Sequence, residues 1–336
     1  MMNKIPFEHR MGAHCESGTV SSLLNHAGLE VTEPLAFGIA GGIFFGYMNT
    51  PFFSFPTIIL RNRPGQIRVK VAKRLGITFH TQKFRTQEAG IKALDSLLDK
   101  KIPVGAQVDF FYMKYIPEWQ RVHINVHYIT ILGKNGENYT LSDSYYPKIA
   151  ELEIELMRKA RFAGGSMAPK GFLFYPDKIP DNPPFEKAIV TGIKSACHNM
   201  LKLPVPFVGI KGIYRFADKI MDWPKLARDI EHLSHEIMKI NILLEDQGTG
   251  GAGFRYMYAT FLQQASGIIN NPALSEMSKR MMEIGDGWRN ISYIAAKIGK
   301  NRELGESNLK ELSNLIRERG DLEKDFFQDL LKTVKV

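Results

Sequence analysis

The sequence is poor in cysteine, with Cys15 and Cys197 as the two cysteines among 336 residues. Two cysteines cannot build the disulfide framework that holds many small secreted domains together, so we expect a reducing, cytoplasmic environment. Long apolar runs are also lacking. The most apolar stretch, Leu35 to Tyr47, is interrupted by four glycines and is shorter than the roughly 20 residues that cross a bilayer. Since the start of the chain has no signal-peptide pattern either, we expect no transmembrane segment.

Length and composition are those of an ordinary globular protein. Hydrophobic residues make up 44% of the chain and charged residues 24%, and these proportions argue against disorder. A chain of 336 residues is long enough for about two domains, each with its own core.

Positive charge is in excess and is unevenly distributed. The net charge is +9; the part through Lys178 has 22 basic and 15 acidic residues, whereas the remainder has 22 and 20. A basic surface attracts acidic partners such as nucleic acid or a small acidic carrier protein, although a solvated helix face has the same composition. No motif typical of nucleic-acid binding accompanies the charge, so we expect that the protein does not bind nucleic acid. One short segment holds six basic residues and no acid: Arg61, Arg63, Arg68, Lys70, Lys73 and Arg74.

The spacing of apolar residues divides the chain in two. Residues 1–178 mix helical segments with β-rich runs, and Val126–Leu132 and Tyr139–Leu141 flank a glycine-containing turn, which is typical of a β-hairpin. Pro176 to Pro184 contains four prolines and indicates a linker. Residues 185–336 carry apolar residues at three- and four-residue steps nearly to the end. We therefore predict an α+β domain over 1–178 and an all-α domain over 185–336.

Within the first domain we predict helices that begin at Cys15 and that cover Arg68–Leu75 and Glu151–Ala160. The stretch from Phe37 to Phe55 is crowded with aromatic residues and glycines. It is interpreted either as the lining of a channel for a long acyl chain or as core, the commoner role of aromatic side chains.

Cys15 is the leading candidate for a catalytic residue. It follows the turn Gly12–His14 and enters an amphipathic helix, where free N–H groups and the helix dipole stabilise an anion. His127 at the entry of the first hairpin strand could act as base, and Asp143 just past the second strand could orient it. The order Cys, His, Asp is that of papain-like enzymes. A structural cysteine, a core-edge histidine and a turn-forming aspartate would give the same spacing.

Other histidines carry weaker signals. His9 lies six residues before Cys15, where papain-like enzymes have a side chain of the oxyanion hole, and a ring N–H could serve there. A surface histidine is the alternative interpretation. His123 and His127 are four residues apart, but a strand with no second ligand pair is a weak metal pattern, so no metal site is expected.

A glycine cluster, Gly248–Gly253, precedes Arg255 and Tyr258 in the second domain. No Gly-Lys-Ser/Thr follows the cluster, so it is not a phosphate-binding loop. We interpret it either as a hinge that brings Arg255 and Tyr258 to the mouth of a cleft or as a plain helix–helix connection.

These residues together resemble the family of butirosin biosynthesis protein H, in which a papain-like N-terminal domain precedes a helical C-terminal domain. The N-terminal motifs that carry the resemblance are fairly specific, the C-terminal ones are weaker, and together they extend over nearly the whole chain. They are His14-Cys15-Glu16-Ser17-Gly18, Leu23-Leu24, Gly28, Glu33 to Gly42, Asp109 with Tyr112, His127-Tyr128, Gly133, Asp143, Ala160-Arg161-Phe162, Phe254-Arg255 and Phe261-Leu262.

The resemblance implies an acyltransferase that acts on the phosphopantetheine thioester of an acyl carrier protein. Cys15 would be the nucleophile, His127 the base and then the acid, and Asp143 the orienter of His127. The acyl group would pass to an amine or hydroxyl of a small-molecule or lipid-like acceptor, in a secondary-metabolite, pigment or lipid pathway. The basic segment from Arg61 to Arg74 would dock the carrier, and the helical domain would act as a lid or contact the acceptor or carrier. No cofactor bound by the chain itself is implied.

Two rival functions fit the same residues. A cysteine peptidase or amidase with the same triad would form the same acyl-Cys15 intermediate and pass the acyl group to water. A catalytically inactive binding module would retain the fold without an activated thiol.

Overall fold

The structure is a computed structural model that describes residues 5–51 and 53–334. The chain forms two compact units. The first consists of Met1–Ala36 and Pro64–Pro184, and the second of Phe37–Arg63 and Phe185–Val336.

The regular elements are numbered in chain order. The strands of the described residues are β1 (Ile43–Met48), β2 (Thr57–Arg61), β3 (Thr78–Gln82), β4 (Val104–Val108), β5 (His127–Asn135), β6 (Asn138–Ser142), β7 (Ala150–Glu153) and β8 (Leu173–Lys178). The α-helices are α1 (Cys15–His26), α2 (Glu33–Ile39), α3 (Gln66–Leu75), α4 (Gln87–Asp99), α5 (Ile154–Arg161), α6 (Phe185–Leu201), α7 (Gly209–Lys219), α8 (Trp223–Leu226), α9 (Ile230–Asn241), α10 (Arg255–Ile268), α11 (Ala273–Lys300) and α12 (Glu306–Thr333).

The first unit is built on a six-stranded antiparallel sheet with the strand order β3-β8-β4-β5-β6-β7. All five residues of β4 are buried. Because side chains alternate between the two faces of a strand, both faces of the sheet are covered at this position. Helix α1 packs against β5, and α4 and α5 pack against β4. This arrangement confirms the predicted α+β class of the N-terminal part.

The predicted hairpin is formed by β5 and β6. Its turn lies at Gly136, which has a φ of 58°, so both strands extend further toward the turn than the apolar runs indicated. Thr130 pairs with Ser142, and this antiparallel register brings the start of β5 beside the end of β6. His127 begins the first strand and Asp143 directly follows the second.

The helix predicted over Glu151–Ala160 is wrong in its first turn. Residues Ala150–Glu153 form the edge strand β7, and α5 begins at Ile154. Ala150 and Leu152 are buried whereas Glu151 and Glu153 are exposed. This alternation is the two-residue period of a strand with one face on the core.

The second unit contains a segment that was predicted to lie in the first domain. Phe37–Arg63, predicted to lie within a domain over 1–178, contributes the hairpin β1–β2 and packs with the C-terminal helices. The ring of Phe37 stacks on Phe254 with centroids 4.9 Å apart, and Phe45 stacks on Trp288 at 5.6 Å. These aromatic side chains are core, as the commoner interpretation held, and Phe52 lies outside the described residues.

The C-terminal part is helical, as predicted. Among the described residues, those from 185 onward form helices and no strand. Helices α11 and α12 each have 28 residues, but both carry charged side chains along their length. Within residues 5–51 and 53–334, none of the helices combines the length and the apolar character needed to cross a bilayer.

Candidate active site

Cys15 is the first residue of α1, and a carboxylate holds the turn before it. Glu33 accepts hydrogen bonds from the N–H groups of Ala13 (2.8 Å) and His14 (2.7 Å) and from the hydroxyl of Ser17 (3.0 Å). Burial raises the pKa of Glu33, and these three hydrogen bonds offset part of that effect. The turn therefore presents the sulfur at the start of the helix, where main-chain N–H groups and the helix dipole stabilise an anion.

The cysteine turn is tied directly to the segment that follows Asp143. The N–H of Gly12 donates to the carbonyl oxygen of Ser144 at 2.8 Å. Gly18, in the first turn of α1, lies so close to Ser144 that a Cβ at Gly18 would lie 2.7 Å from the serine Oγ. Because a side chain at Gly18 would push α1 away, these contacts fix the helix relative to the end of β6.

His127 and Asp143 lie next to each other and next to Cys15. The distance between His127 Nε2 and Asp143 Oδ2 is 2.8 Å. The sulfur of Cys15 lies 3.8 Å from the carbonyl oxygen of Val126, the residue before His127, and interacts with the imidazole itself. Since Nε2 is bonded to Asp143, Nδ1 is the ring nitrogen available to the sulfur. The structure thus brings together the three side chains proposed as nucleophile, base and orienter.

The electrostatics of this cluster favour an imidazolium. Burial alone would lower the pKa of His127, but the charge and hydrogen bond of Asp143, together with Cys15, raise it to about 10. Burial would raise the pKa of Asp143, but His127, the N–H of Tyr145 and the hydroxyl of Tyr115 hold it below its usual range. At neutral pH His127 is therefore protonated and Asp143 is ionised, so that a positive charge lies beside the sulfur of Cys15.

Two further side chains hold the pair in place, and neither was expected from the sequence. The hydroxyl of Tyr115 donates to Asp143 Oδ2 at 2.8 Å. Burial and the Asp143 charge raise the pKa of Tyr115 well above its ordinary value, so this hydroxyl remains a donor. The ring of Phe110 packs edge-on against the His127 imidazole with centroids 4.8 Å apart. Both residues lie in the segment between β4 and β5, where no periodic pattern marks them.

His9 does not take the oxyanion role expected for it. Its Nδ1 lies 2.8 Å from the Ser142 hydroxyl and its Nε2 lies 2.9 Å from the carbonyl oxygen of Tyr146. Because a carbonyl can only accept, Nε2 carries the proton and Nδ1 accepts from Ser142, so neither nitrogen is left to donate to a substrate. His9 instead ties the N-terminal segment to the strand end that precedes Asp143.

Arg255 and Tyr258 do not lie at the mouth of a cleft. Both are fully buried in the second unit. Arg255 donates to both carboxylate oxygens of Glu323, at 2.9 and 3.1 Å, and its guanidinium lies over the ring of Trp288. Tyr258 packs against Phe261. The prediction that these two residues contact substrate is therefore wrong. Arg255 is engaged in an internal ion pair, and Tyr258 is part of an aromatic core.

The six basic residues predicted to dock a carrier are divided between the two units. Arg61 ends β2 and Arg63 follows it, in the second unit, whereas the other four lie on α3 in the first unit. Arg68 is also set apart, because its guanidinium is held over the rings of Phe172 and Phe174 at 5.3 and 5.4 Å. Burial lowers the pKa of Arg68.

A smaller basic group remains on α3. Lys70, Lys73 and Arg74 are three and four residues apart and therefore fall on one side of the helix. The start of α3 is fixed by Glu16, whose carboxylate accepts from the N–H groups of Gly65 (2.9 Å) and Ile67 (2.8 Å). Glu16 directly follows Cys15 in the chain. The helix α3, which carries this basic group, is therefore hydrogen-bonded to the residue next to the proposed nucleophile.

Cys197, the other cysteine of the chain, lies in a different environment from Cys15. It lies buried in α6, and burial raises the pKa of its thiol to about 12. The sequence-based interpretation of Cys197 as an inert core thiol agrees with this environment.

A cysteine at the start of a helix beside a histidine and an aspartate on an antiparallel sheet defines a papain-like domain. Residues 155–330 match the family model of a domain of unknown function, DUF4872, and residues 14–144 match that of the butirosin biosynthesis protein H N-terminal domain. The first match covers more than half of the chain, and the protein belongs to this family.

Two further comparisons are less informative. No curated protein matches the chain. A solved structure of a proposed C39-like peptidase from Bacillus anthracis is similar over 53% of this chain and 97% of its own, at 16% identity and with a TM-score of 0.36.

We expect iodoacetamide to alkylate Cys15 quickly at neutral pH and to leave Cys197 unmodified in the folded protein. Asp143→Asn should slow alkylation of Cys15 by at least about tenfold, because the imidazolium loses its buried counter-charge and one pKa unit is a factor of ten in protonation. The rates are measured by peptide mass mapping over time.

Asp95→Asn is the matched control, since Asp95 bonds Lys134 and Tyr139 on another part of the first unit. It should leave the alkylation rate of Cys15 unchanged. A Cys15 that reacts no faster than an ordinary free thiol would contradict the assigned electrostatics.

Proposed function

We propose that the protein is an acyltransferase that takes an acyl group from a carrier protein thioester and passes it, through acyl-Cys15, to an amine or hydroxyl. The observation that carries this proposal is the contact of Cys15 with a His127 imidazole whose Nε2 is held by the buried Asp143. The match of residues 14–144 to a family model named for a biosynthesis protein supports group transfer rather than protein degradation.

The first half-reaction loads the enzyme. The Cys15 thiolate attacks the thioester carbonyl carbon, and a new C–S bond forms. The bond to the pantetheine sulfur then breaks, and that sulfur leaves as a thiol with the proton of the His127 imidazolium. With His9 engaged elsewhere, the N–H groups at the start of α1 are the donors best suited to the developing oxyanion.

The second half-reaction transfers the acyl group from Cys15 to the acceptor. Neutral His127 takes the proton of the acceptor hydroxyl or amine as that group attacks the acyl-Cys15 carbonyl carbon. The C–S bond breaks, the electron pair returns to Cys15 as a thiolate, and the imidazolium is restored. Asp143 stays ionised throughout and stabilises the positive ring, as its bonds from Tyr115 and Tyr145 favour.

The carrier delivers its phosphopantetheine arm as part of the substrate, so the proposal needs no cofactor held by the chain. Lys70, Lys73 and Arg74 on α3 suit an acidic carrier, because opposite charge raises the rate and fixes the orientation of docking. A role for the helical second unit in contacts with acceptor or carrier, and a cytoplasmic location, remain predictions from the sequence.

Incubation with an acyl-carrier thioester should add one acyl group to the wild-type protein and none to Cys15→Ala, as followed by intact mass spectrometry. Cys197→Ala is the control and should load like wild type, because its thiol is buried. Addition of an amine or alcohol should then release the acyl group as an amide or ester faster than as the free acid. Release as the free acid alone would establish the hydrolase instead, and no adduct on Cys15 would refute both.

Charge reversal on α3 should weaken the loading of Cys15 from the carrier and leave the acyl-transfer reaction at Cys15 unchanged. We expect Lys70→Glu with Lys73→Glu to raise KM for the carrier-bound thioester by roughly tenfold at low salt and to leave loading from a small N-acetylcysteamine thioester unchanged. The same reversal at Lys194, exposed on α6, is the control. Equal effects on both thioesters would exclude α3 as the docking element.

A further inference from the structure

A second histidine–aspartate pair lies in the first unit. His123 Nδ1 and Asp109 Oδ2 are 2.8 Å apart. The Asp109 side chain is 4% exposed and the His123 side chain is 62% exposed. Since a carboxylate accepts, Nδ1 carries a proton, and in the neutral ring Nε2 is an acceptor.

Both side chains of the pair make further contacts although the imidazole is exposed. The other oxygen of Asp109 accepts from the N–H groups of Phe111 (3.0 Å) and Ile124 (3.1 Å), so one carboxylate closes the loop between these residues. The His123 ring stacks on Phe111 with centroids 4.0 Å apart and an interplanar angle of 24°. Because these contacts already order the ring, a ligand that binds Nε2 would lose little further conformational entropy in fixing it.

This pair lies close to the candidate active site along the chain. His123 is four residues before His127, so the two Cα atoms are no more than about 14 Å apart. Val126, between them, has its carbonyl oxygen 3.8 Å from the sulfur of Cys15. The separation between His123 and the candidate active site is therefore within the length of a small linear molecule.

The charged side chains around His123 indicate which chemical group could bind to its ring. The cationic groups of Lys114 and Arg121 lie 5.9 and 5.8 Å from the centre of the Phe111 ring on which His123 stacks. These two positive charges outnumber the single carboxylate of Asp109, and the excess disfavours an ammonium group next to the imidazole. A neutral hydroxyl can donate to Nε2 without that repulsion.

We propose that His123, fixed by Asp109 and Phe111, binds a hydroxyl group of the acceptor at a distance from the group that attacks acyl-Cys15. The inference rests on the proposed function and adds the chemical class of the acceptor: a molecule with a nucleophilic amine or hydroxyl at one end and a second hydroxyl further along. His123 acts here as a binding residue and takes no part in loading Cys15.

A series of linear amino alcohols of increasing length tests this subsite. Wild-type protein is first loaded from an N-acetylcysteamine thioester, and the transfer of the acyl group to ethanolamine, aminohexanol and aminodecanol is then measured. We expect KM to fall by roughly fivefold for an amino alcohol long enough to reach His123, the effect of about one hydrogen bond. A diamine of the same length should show no such gain, because its far end is charged.

His123→Phe keeps a ring over Phe111 and removes Nε2. It should abolish the preference for the longer amino alcohol and leave the loading of Cys15 unchanged, which also shows that the variant is folded. His80→Phe is the matched control, since His80 is an exposed histidine stacked on Tyr175 at 4.9 Å on the edge strand β3. It should retain the preference.

The outcomes separate this inference from the proposed function. If wild type forms no acyl-Cys15, or passes the acyl group to no amine, the proposed function fails. If wild type transfers the acyl group but shows no length preference, or if His123→Phe retains the preference, the subsite is refuted while the acyltransferase stands.

Discussion

The site depends on one contact, the 2.8 Å bond between His127 Nε2 and the buried Asp143 carboxylate. A carboxylate without exposed area is costly unless it is paired and hydrogen-bonded. Asp143 meets this requirement with the imidazolium, the Tyr115 hydroxyl and the N–H of Tyr145. The same contact fixes the orientation of the ring, keeps it protonated and directs its other nitrogen toward Cys15.

Carboxylates organise the rest of the site in the same way. Glu33 holds the turn before Cys15, and Glu16 joins the nucleophile helix to α3. Asp109 closes the loop that leads into β5. Each accepts from main-chain N–H groups that regular secondary structure leaves unpaired. The first unit therefore positions Cys15 and His127 through side-chain acceptors as well as through the main-chain hydrogen bonds of its helices and strands.

The hairpin and the helix start at Cys15 were predictable, because local spacing and turn chemistry specify both. The hairpin indicates that His127 and Asp143 lie close together, whereas the meeting of Cys15 with them was expected from the papain-like order of the three residues. The contact of Tyr115 was not predictable because it depends on the conformation of a loop. The partners of His9 were not predictable because they lie more than a hundred positions away. The placement of Phe37–Arg63 with the second unit was missed for a related reason. The pattern of apolar residues shows that a segment is buried, but it does not show which part of the protein the segment packs against.

The most direct measurement is an NMR titration of the His127 ring in protein with isotope-labelled histidine, assigned by comparison with His127→Gln. Its folded pKa of about 10 is above the ordinary value of about 6.5. The ion pair therefore stabilises the fold fully below the ordinary value and is lost as the pH rises through 10. We predict that the ring remains an imidazolium at neutral pH and that Asp143→Asn lowers its pKa. A wild-type ring that titrates near its ordinary value would contradict the account.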